Sequence, residues 1–371
     1  MNLEKLRVLG ESARYDLCNY VSGNIETYAE GKIPGVYNST SPGGRCMPLF
    51  KVLMTNKCSN DCKYCINSTK LEGYEYGPEE LSKLFLDYYN KRYVEGLFLS
   101  SGIDGSIDSS MEKEIEVARI LRDYGYEGYI HLKIIPGTSF DLIKRAMQLA
   151  DRVSVNIESA APEGLEEITS TKNFKIDILR RMKWIKKLSK KDESLAHSGQ
   201  TTQFIVGATD ETDEEILKRT KWLKDKYEIR RSYFSAFNPL KDTPLEHRLE
   251  PHPMRTVRLY QADFLLNSYK FSLDELVFDE NGNIETGIDP KYSFAMNNRD
   301  LFPVDINESS FDELIRVPGI GKTSSRRIVT LRKHGVKINK LDELSKLGVA
   351  VKRAEPFIKI NKSYQSTLEG F

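Results

Sequence analysis

Short runs rich in β-branched and aromatic residues alternate with longer helical segments between residues 48 and 270 of this chain. The six strand candidates are residues 49–54, 97–100, 129–134, 152–157, 202–206 and 233–236. A crossover helix carries the chain back to the edge of the sheet where the previous strand began, so the next strand runs in the same direction. This alternation therefore predicts a parallel sheet. Eight such units would close a barrel, so six predict an α/β fold with a partial (β/α)6 barrel of the TIM type.

The helical segments carry recognisable start and stop signals. Pro78 follows Gly77 and suits the first turn of a helix. A second helix is predicted from about Ser110 to Gly125, and a third begins at a capping box formed by Thr212 and the glutamate three residues later. The last helix of this region is predicted over residues 254–269.

Three cysteines stand in the loop after the first strand candidate, at Cys58, Cys62 and Cys65. Their spacing, C-x3-C-x2-C, indicates a metal or cluster site rather than a core element. A structural zinc site usually has four Cys or His ligands, and the one further cysteine close by is Cys46, so zinc is the weaker alternative. Three ligands also leave one position of a cluster open for reaction. In a parallel α/β fold this loop lies at the carboxyl edge of the sheet, where active sites form.

The chain divides by composition into four predicted regions: an N-terminal extension (1–47), the α/β core (48–270), a linker rich in Asn, Asp and Gly (271–302) and a compact helical module (303–371). The module carries 13 Lys and Arg against 8 Asp and Glu, a local charge of +5, whereas the remainder has a charge of −4. A basic module on an otherwise slightly acidic chain predicts a separate site for a polyanion.

Membrane and secretory classes are not favoured. No apolar run approaches the roughly 18 residues of a membrane span, and residues 1–5 lack the layout of a signal peptide. Five cysteines, three of them clustered, do not suggest a disulfide framework. We therefore expect a cytoplasmic protein.

The cysteine motif, with the aromatic Tyr64 before its last cysteine, resembles the radical SAM superfamily over about residues 48–270. The resemblance implies that Cys58, Cys62 and Cys65 bind a [4Fe–4S] cluster, whose fourth iron binds S-adenosylmethionine (SAM) through its amino and carboxylate groups. One electron from the reduced cluster then cleaves SAM, and the resulting 5′-deoxyadenosyl radical abstracts hydrogen from the substrate.

Six residues at or near predicted strand ends agree with this resemblance, which implies that they contact SAM: Tyr64, Ser100, Ser101, Gly102, Glu158 and Gly207. Ser100–Gly102 stand where the family has a Gly-Gly-Glu-like turn, and because the acidic residue is missing here, backbone carbonyls or serine hydroxyls would have to bind the amino group. Glu158 would contact ribose or SAM, and the Gly207 loop and Tyr64 would pack on adenine. Taken singly, a loop Glu is more often a cap or ion-pair residue, and a Gly more often belongs to a turn.

Other polar residues on the strand candidates either point into the barrel or lie at the surface or in the interior with their hydrogen bonds made. The sequence leaves both alternatives open. They are His131, Lys133, Gln203, Arg231 and Tyr233. Cys46 is a candidate for hydrogen donation to a product radical, although a buried, inert thiol is the more common case. Cys18 is expected to be structural.

Residues 311–329 predict a helix, a Pro-Gly-Ile-Gly hairpin and a second helix, and they resemble the helix-hairpin-helix motif of DNA-repair and recombination proteins. The glycines let backbone amides bind a phosphate oxygen at the helix start. The residues implied in nucleic-acid binding are Gly319, Gly321, Lys322, Thr323, Arg326 and Arg327. Residues 341–354 look like a degenerate second hairpin that completes the hydrophobic pair. A module that only mediates protein contacts is the alternative.

The combination resembles a family of radical SAM proteins thought to modify or repair DNA. It covers most of the chain, including residues 43–51 and 352–358. It implies nucleic acid, first of all DNA, as a partner, together with a flavodoxin-like or ferredoxin-like electron donor and a uracil-DNA-glycosylase-like protein. Two other classes remain open: modification of RNA or tRNA bases, and a radical enzyme for a small molecule or protein that uses the hairpin for assembly.

Overall fold

The computed structural model describes residues 2–16, 33–40, 46–69 and 73–360. Cys18, residues 43–45 of the family-like lead-in and the end of the C-terminal module beyond residue 360 lie outside the described residues. The chain forms two compact units. The first contains Met1–Glu211 and Lys218–Thr256, and the second contains Thr212–Leu217 and Val257–Phe371.

The first unit is built on one seven-stranded sheet whose strands follow one another in chain order. The strands are β1 (Val36–Thr40), β2 (Cys46–Leu53), β3 (Gly96–Ser100), β4 (Tyr129–Lys133), β5 (Arg152–Ser154), β6 (Gln200–Val206) and β7 (Arg231–Ala236). Strands β2 to β7 pair in parallel, and β1 pairs antiparallel with β2. The predicted α/β fold with a partial six-unit barrel is confirmed.

Helices separate the parallel strands in the predicted way. They are α2 (Pro78–Asn90), α3 (Ile107–Asp123), α4 (Phe140–Leu149), α5 (Pro162–Ile168), α6 (Arg180–Lys191) and α7 (Asp213–Tyr227). A further helix, α1 (Leu3–Ser12), precedes the sheet and was not predicted. Every residue of β3 and β6 is buried, as in a parallel sheet covered on both faces. Pro78 is the first residue of α2, and the capping box of Thr212 and Glu215 is present. Helix α3 begins three residues before the predicted start, because Ser106 and not Ser110 caps it.

The second unit is mainly helical. Its elements are α8 (Met254–Ser268), α9 (Pro290–Asn297), α10 (Phe311–Leu314), α11 (Lys322–Lys333), α12 (Leu341–Lys346) and α13 (Val351–Ala354), with the short parallel pair β8 (Val304–Asp305) and β9 (Ile358–Lys359). The C-terminal region is therefore helical but not purely so, because β8 and β9 join its two ends.

The segment predicted as a linker, residues 271–302, has more structure than a linker. It contains α9 and buries Phe271, Ile284 and Phe294 within the second unit. Phe294 packs edge-on against Phe271, with ring centroids 5.1 Å apart. Its Asn, Asp and Gly residues form turns between these buried apolar residues, which is why composition alone suggested a linker.

Candidate active site

A cavity opens at the carboxyl ends of the parallel strands in the first unit, and it encloses about 1160 Å³ of empty space, part of it open to solvent. Its wall comes from the cysteine loop, from the ends of β3, β4, β6 and β7, and from the N-terminal residues Ser12, Tyr15 and Asp16. All three cysteines of the motif line this cavity.

The cysteine loop is tied to the neighbouring strand by its backbone. Met54 N–H donates to the Ser100 carbonyl at 2.7 Å, and Gly102 N–H donates to the Thr55 carbonyl at 2.8 Å. A Cβ atom at Gly102 would lie 2.2 Å from the Lys57 carbonyl oxygen. Glycine is therefore required at position 102, because the loop backbone crosses directly over it.

Asp61 holds the middle of the cysteine loop against the segment that follows α5. Its carboxylate accepts hydrogen bonds from the Thr169 hydroxyl at 2.6 Å, from the Ser170 hydroxyl at 2.6 Å and from the Thr171 hydroxyl at 2.9 Å. The backbone N–H groups of Ser170 and Thr171 also donate to it. Burial opposes ionisation, but these donors, Ser170 first, hold the pKa of Asp61 far below its usual range. Asp61 was not among the residues predicted from the sequence.

The three thiols suit a cluster better than a single ion. Cys62 is buried and Cys58 and Cys65 are half-buried, and none forms a disulfide. In the parts of the chain that the structure describes, no three Cys, His, Asp or Glu side chains converge on one metal ion. In an iron–sulfur cluster each thiolate binds a different iron, so such convergence is not required. Burial, and then the charge of Cys62, raise the pKa of Cys65 to about 12. A thiolate at this position therefore needs a cationic group beside it.

A buried ion pair stands beside the cysteines. Lys172 Nζ lies 3.5 Å from Glu158 Oε1, and both side chains line the cavity. Burial opposes the charge of Lys172, but the Cys62 thiolate and Glu158 raise its pKa, so the side chain is an ammonium. Burial and then Glu158 raise the pKa of Tyr64 well above its ordinary value, so Tyr64 remains a neutral phenol. Glu158 itself has a positive φ of 66°, a strained backbone conformation of the kind that clusters at functional sites.

Among the described residues, three buried polar atoms that line the cavity have no hydrogen-bond partner: Ser101 Oγ, Asn67 Oδ1 and Glu158 Oε2. Unpaired buried polar atoms are rare in folded proteins, because each costs about 1–3 kcal/mol. A bound ligand with hydroxyl and amino donors, such as SAM, would satisfy them. The residues present therefore fit both a cluster and SAM.

The floor of the cavity includes a residue that the sequence analysis missed. Asp16 forms an ion pair with Lys133 of β4 and accepts a hydrogen bond from the Ser100 hydroxyl at 2.7 Å. Next to it, the Gln203 amide donates to the Tyr15 carbonyl at 2.9 Å. Burial disfavours the charge, but Lys133 holds the pKa of Asp16 below its ordinary value. The spacing of Leu6, Leu9 and Ala13 in the N-terminal segment is the signal that could have predicted a docked helix there.

The remaining candidates are distributed between the cavity and other places. Lys133 and Gln203 line it, whereas His131 lies deeper and hydrogen-bonds the Ser154 hydroxyl at 2.9 Å. Arg231 and Tyr233 lie on β7 outside the residues that line the cavity. Gly207 follows β6 with a φ of +93°, against the Pro251 ring, and is likewise outside the lining.

The expectations for Cys46 need correction. This thiol is exposed, so the expectation of a buried thiol was wrong. It is the first residue of β2, seven residues before the strand end that leads to the cysteine loop, or about 23 Å along an extended strand. Hydrogen donation from Cys46 to a radical in the cavity is not compatible with this placement.

The second unit presents the predicted hairpin. Gly319 adopts a φ of +84°, and a Cβ there would lie 2.6 Å from the Ala350 carbonyl oxygen. Ala350 N–H donates to the Gly319 carbonyl at 2.9 Å, so the degenerate second hairpin holds the first. Gly321 precedes α11, and no side chain in the described part of the chain caps that helix start. Free amides and the helix dipole make such an end suitable for a phosphate.

The predicted nucleic-acid-binding side chains of this module differ in their exposure. Thr323, Arg326 and Arg327 are exposed, and Lys322 is half-buried. Lys322 and Arg326 line one small pocket together with Lys270. Arg327 donates to the Leu347 carbonyl at 3.2 Å, so part of its hydrogen-bonding capacity is used within the unit.

Comparison with protein families identifies both units. Residues 52–223 match the radical SAM superfamily, and residues 302–349 match the helix-hairpin-helix motif. Slightly less than half of the chain therefore matches a radical SAM domain, and a short C-terminal region matches the hairpin motif. Enzymes of this superfamily use a [4Fe–4S] cluster and SAM. None of the helices in the described part of the chain has the length and apolarity needed to cross a membrane.

Similar solved structures are distant. HydG, described as a maturase of the [FeFe]-hydrogenase, is 13% identical, with a TM-score of 0.47 over 58% of this chain and 48% of its own. HydG from Carboxydothermus hydrogenoformans is 15% identical, with a TM-score of 0.47 over 58% and 50%. Methylornithine synthase (PylB) is 15% identical, with a TM-score of 0.46 over 80% and 84%. The chain thus spans about half the length of the HydG structures, and no curated protein matches it.

Proposed function

We propose that the chain is a radical SAM enzyme that acts on nucleic acid, with DNA modification or repair as the first candidate. The observation that carries the proposal is the helix-hairpin-helix motif in the same chain as the radical SAM domain. The hairpin offers uncapped amides at the start of α11, next to Lys322 and Arg326, on a module with a local charge of +5. Phosphates are the ligands that this combination of amides and cations favours.

The proposed cluster ligands are Cys58, Cys62 and Cys65, and the proposed SAM contacts are Tyr64, Ser100, Ser101, Gly102, Glu158 and, more distantly, Gly207. The bound cofactors supply a one-electron cleavage of SAM and a radical that abstracts hydrogen. The protein side chains orient and enclose them. Ser101 Oγ and Glu158 Oε2 are unpaired acceptors buried beside the cysteines, which suits the amino and ribose hydroxyl groups of SAM. Lys172 is a buried cation at the same wall, which suits a carboxylate.

Mass spectrometry of nucleosides decides the substrate class. DNA and RNA would be incubated anaerobically with the reconstituted enzyme, SAM and a reductant, then digested to nucleosides. We expect a new or altered nucleoside from DNA, and none with a Cys58→Ala/Cys62→Ala/Cys65→Ala control. A product from RNA alone would reassign the substrate to RNA. Formation of 5′-deoxyadenosine without any nucleoside change, with nucleic acid unbound, would favour a small-molecule or protein substrate.

Binding by the hairpin can be measured separately from catalysis. A Lys322→Ala/Arg326→Ala/Arg327→Ala variant should bind duplex DNA more weakly and about uniformly across sequences, because phosphate contacts carry no base information. Each lost contact should reduce the log–log salt slope by roughly 0.9. Cluster content and basal SAM cleavage should be unchanged, since those residues belong to the second unit. Binding that ignores both salt and the substitutions would favour a protein-interaction role for the hairpin.

Three further expectations belong to this proposal. The enzyme would need an electron donor, of the flavodoxin or ferredoxin kind, to reduce the cluster. A uracil-DNA-glycosylase-like protein would be a functional partner in DNA repair. The free cysteines and the oxygen-sensitive cofactor suit a cytoplasmic location.

A further inference from the structure

Helix α6 carries an unusual concentration of positive charge on the first unit. Its twelve residues include seven Lys or Arg and no acidic residue. Four of the seven form a stripe, which we call the α6 stripe: Arg180, Lys183, Lys187 and Lys191. At 3.6 residues per turn, these positions fall within an arc of about 80° and span about 16 Å of the helix axis. All four side chains are exposed, whereas Met182, Ile185 and Leu188 on the other face are buried.

The other cations of α6 have partners within the first unit. Arg181 pairs with Asp177 and donates to the Thr138 carbonyl at 2.9 Å, while Lys186 and Lys190 both pair with Glu228. The members of the stripe are three or four residues apart, and all of them are positively charged. Like charges at these spacings destabilise a helix, so packing must hold the stripe together against repulsion.

The stripe begins at the rim of the cavity. Arg181, next to its first member, holds the carbonyl groups of Gly137 and Thr138, and the preceding residues Ile135 and Pro136 line the cavity. Because α6 returns the chain from the carboxyl edge of the sheet to its amino edge, the stripe leads from the cavity mouth down the outer wall of the barrel. A ligand bound along it would have one end at the active site.

We propose that the α6 stripe binds the phosphate backbone of the nucleic-acid substrate and guides one strand toward the cavity. This inference rests on the proposed function. A straight row of four exposed cations, spaced 4.5–6 Å along the axis, suits a linear polyanion with regular charges. Trp184 borders the stripe half-buried, and aromatic side chains beside basic tracks are typical of single-strand binding surfaces. An acidic protein, such as an electron donor, is the competing occupant.

The test compares salt dependence in matched variants of the full-length reconstituted enzyme. Lys183→Gln/Lys187→Gln removes two members of the stripe. Lys83→Gln/Lys91→Gln, on and just after α2, removes two exposed lysines elsewhere on the first unit and serves as the control. Fluorescence anisotropy with duplex and single-stranded DNA at several salt concentrations gives each log–log slope. We expect the stripe variant to reduce the slope by about 1.8 on duplex and about 1.4 on single strands, with no change in the control.

The possible outcomes test the α6 inference and the proposed function separately. Lys183→Arg/Lys187→Arg should keep the wild-type slope, which would show that charge and not lysine packing matters. A slope unchanged in the stripe variant but reduced in the hairpin variant would overturn the α6 inference and leave the proposed function standing. The same unchanged slope with slower reduction by an acidic flavodoxin would assign the stripe to the electron donor. No nucleic-acid binding by the wild type at low salt would instead refute the proposed function.

Discussion

Asp61→Ala should loosen the cysteine loop and lower the amount of iron that the protein retains. The substitution removes the acceptor for five donor groups, which are three hydroxyls and two backbone N–H groups of residues 169–171, at 2.6–3.3 Å. A hydrogen bond to a charged group contributes about 1.5–3 kcal/mol, but several of these donors are exposed and would bind water instead. We therefore expect a loss of about 2–4 kcal/mol in the free energy of unfolding of the first unit.

Asp61→Asn and pH separate the charge from the geometry. The amide keeps one acceptor oxygen, so its cost should be about 1–2 kcal/mol. The pKa of Asp61 is lowered in the folded chain relative to its ordinary value of 3.8. Such a group contributes its full stability above pH 3.8, and the contribution is lost as the pH falls toward the folded pKa. The stability difference between wild type and Asp61→Ala should therefore be constant above about pH 5 and shrink in more acidic solution.

Urea unfolding of the cluster-free protein, followed by tryptophan fluorescence, measures this difference. Both tryptophans, Trp184 and Trp222, belong to the first unit, so the signal reports that unit. Asp192→Ala is the matched control: Asp192 also accepts from a backbone N–H and a hydroxyl, both of Ser194, but in an exposed turn. We expect it to change stability by less than about 0.5 kcal/mol. A similar result for Asp61→Ala, with full iron content after anaerobic reconstitution, would refute the assigned role of Asp61.

Three further outcomes are expected. Gly102→Ala should reduce iron incorporation, because its Cβ would displace the Lys57 carbonyl, whereas Gly77→Ala, with no atom within 4 Å, should leave the iron content unchanged. Glu158→Gln should weaken SAM binding by about 1–3 kcal/mol in equilibrium dialysis while the iron content stays constant, and an unaltered affinity would return Glu158 to a structural role. Burial lowers the pKa of Lys291 to about 7, against an ordinary 10.5. The unfolded chain therefore binds more protons between these values, and stability of the second unit should rise with pH over this window by up to about 1.4 kcal/mol per unit. Calorimetry of Lys291→Met should show a flatter pH profile, and an unchanged one would contradict the assignment.

Sequence reasoning succeeded where the signal is local. The six parallel strands were predicted to within a few residues, because each lies in a short run that contains β-branched, aromatic or aliphatic residues. Strand β1 was missed because Val36–Thr40 is short and polar after its first two residues. Helix α9 was missed for a similar reason, since it is an eight-residue helix surrounded by turn-forming residues.

Contacts between distant positions could not be predicted in the same way. Asp16 and Lys133 are separated by 117 positions, and nothing in either neighbourhood indicates the other. The α6 stripe was hidden by averaging, because the acidic residues elsewhere in the first 302 positions give that region a net charge of −4. Helical periodicity applied to charge, and not only to apolar residues, would have found it.

If the substrate is a nucleic acid, the selection of a base has to come from the cavity. The hairpin offers phosphate ligands, and phosphate contacts position a strand without reading it. The cysteine loop, the turn after β3 and Glu158 line the cavity and are proposed to hold the cofactors. Polar side chains of the cavity that the cofactor proposal does not use include Asn156 after β5, Ser235 of β7 and Asn238 after β7. Amide and hydroxyl groups can both donate and accept, so they can read the edge of a base. Substitutions among these three should change which nucleoside is modified and leave the salt slope of binding unaltered. Substitutions in the hairpin should change the salt slope and leave the modified nucleoside the same.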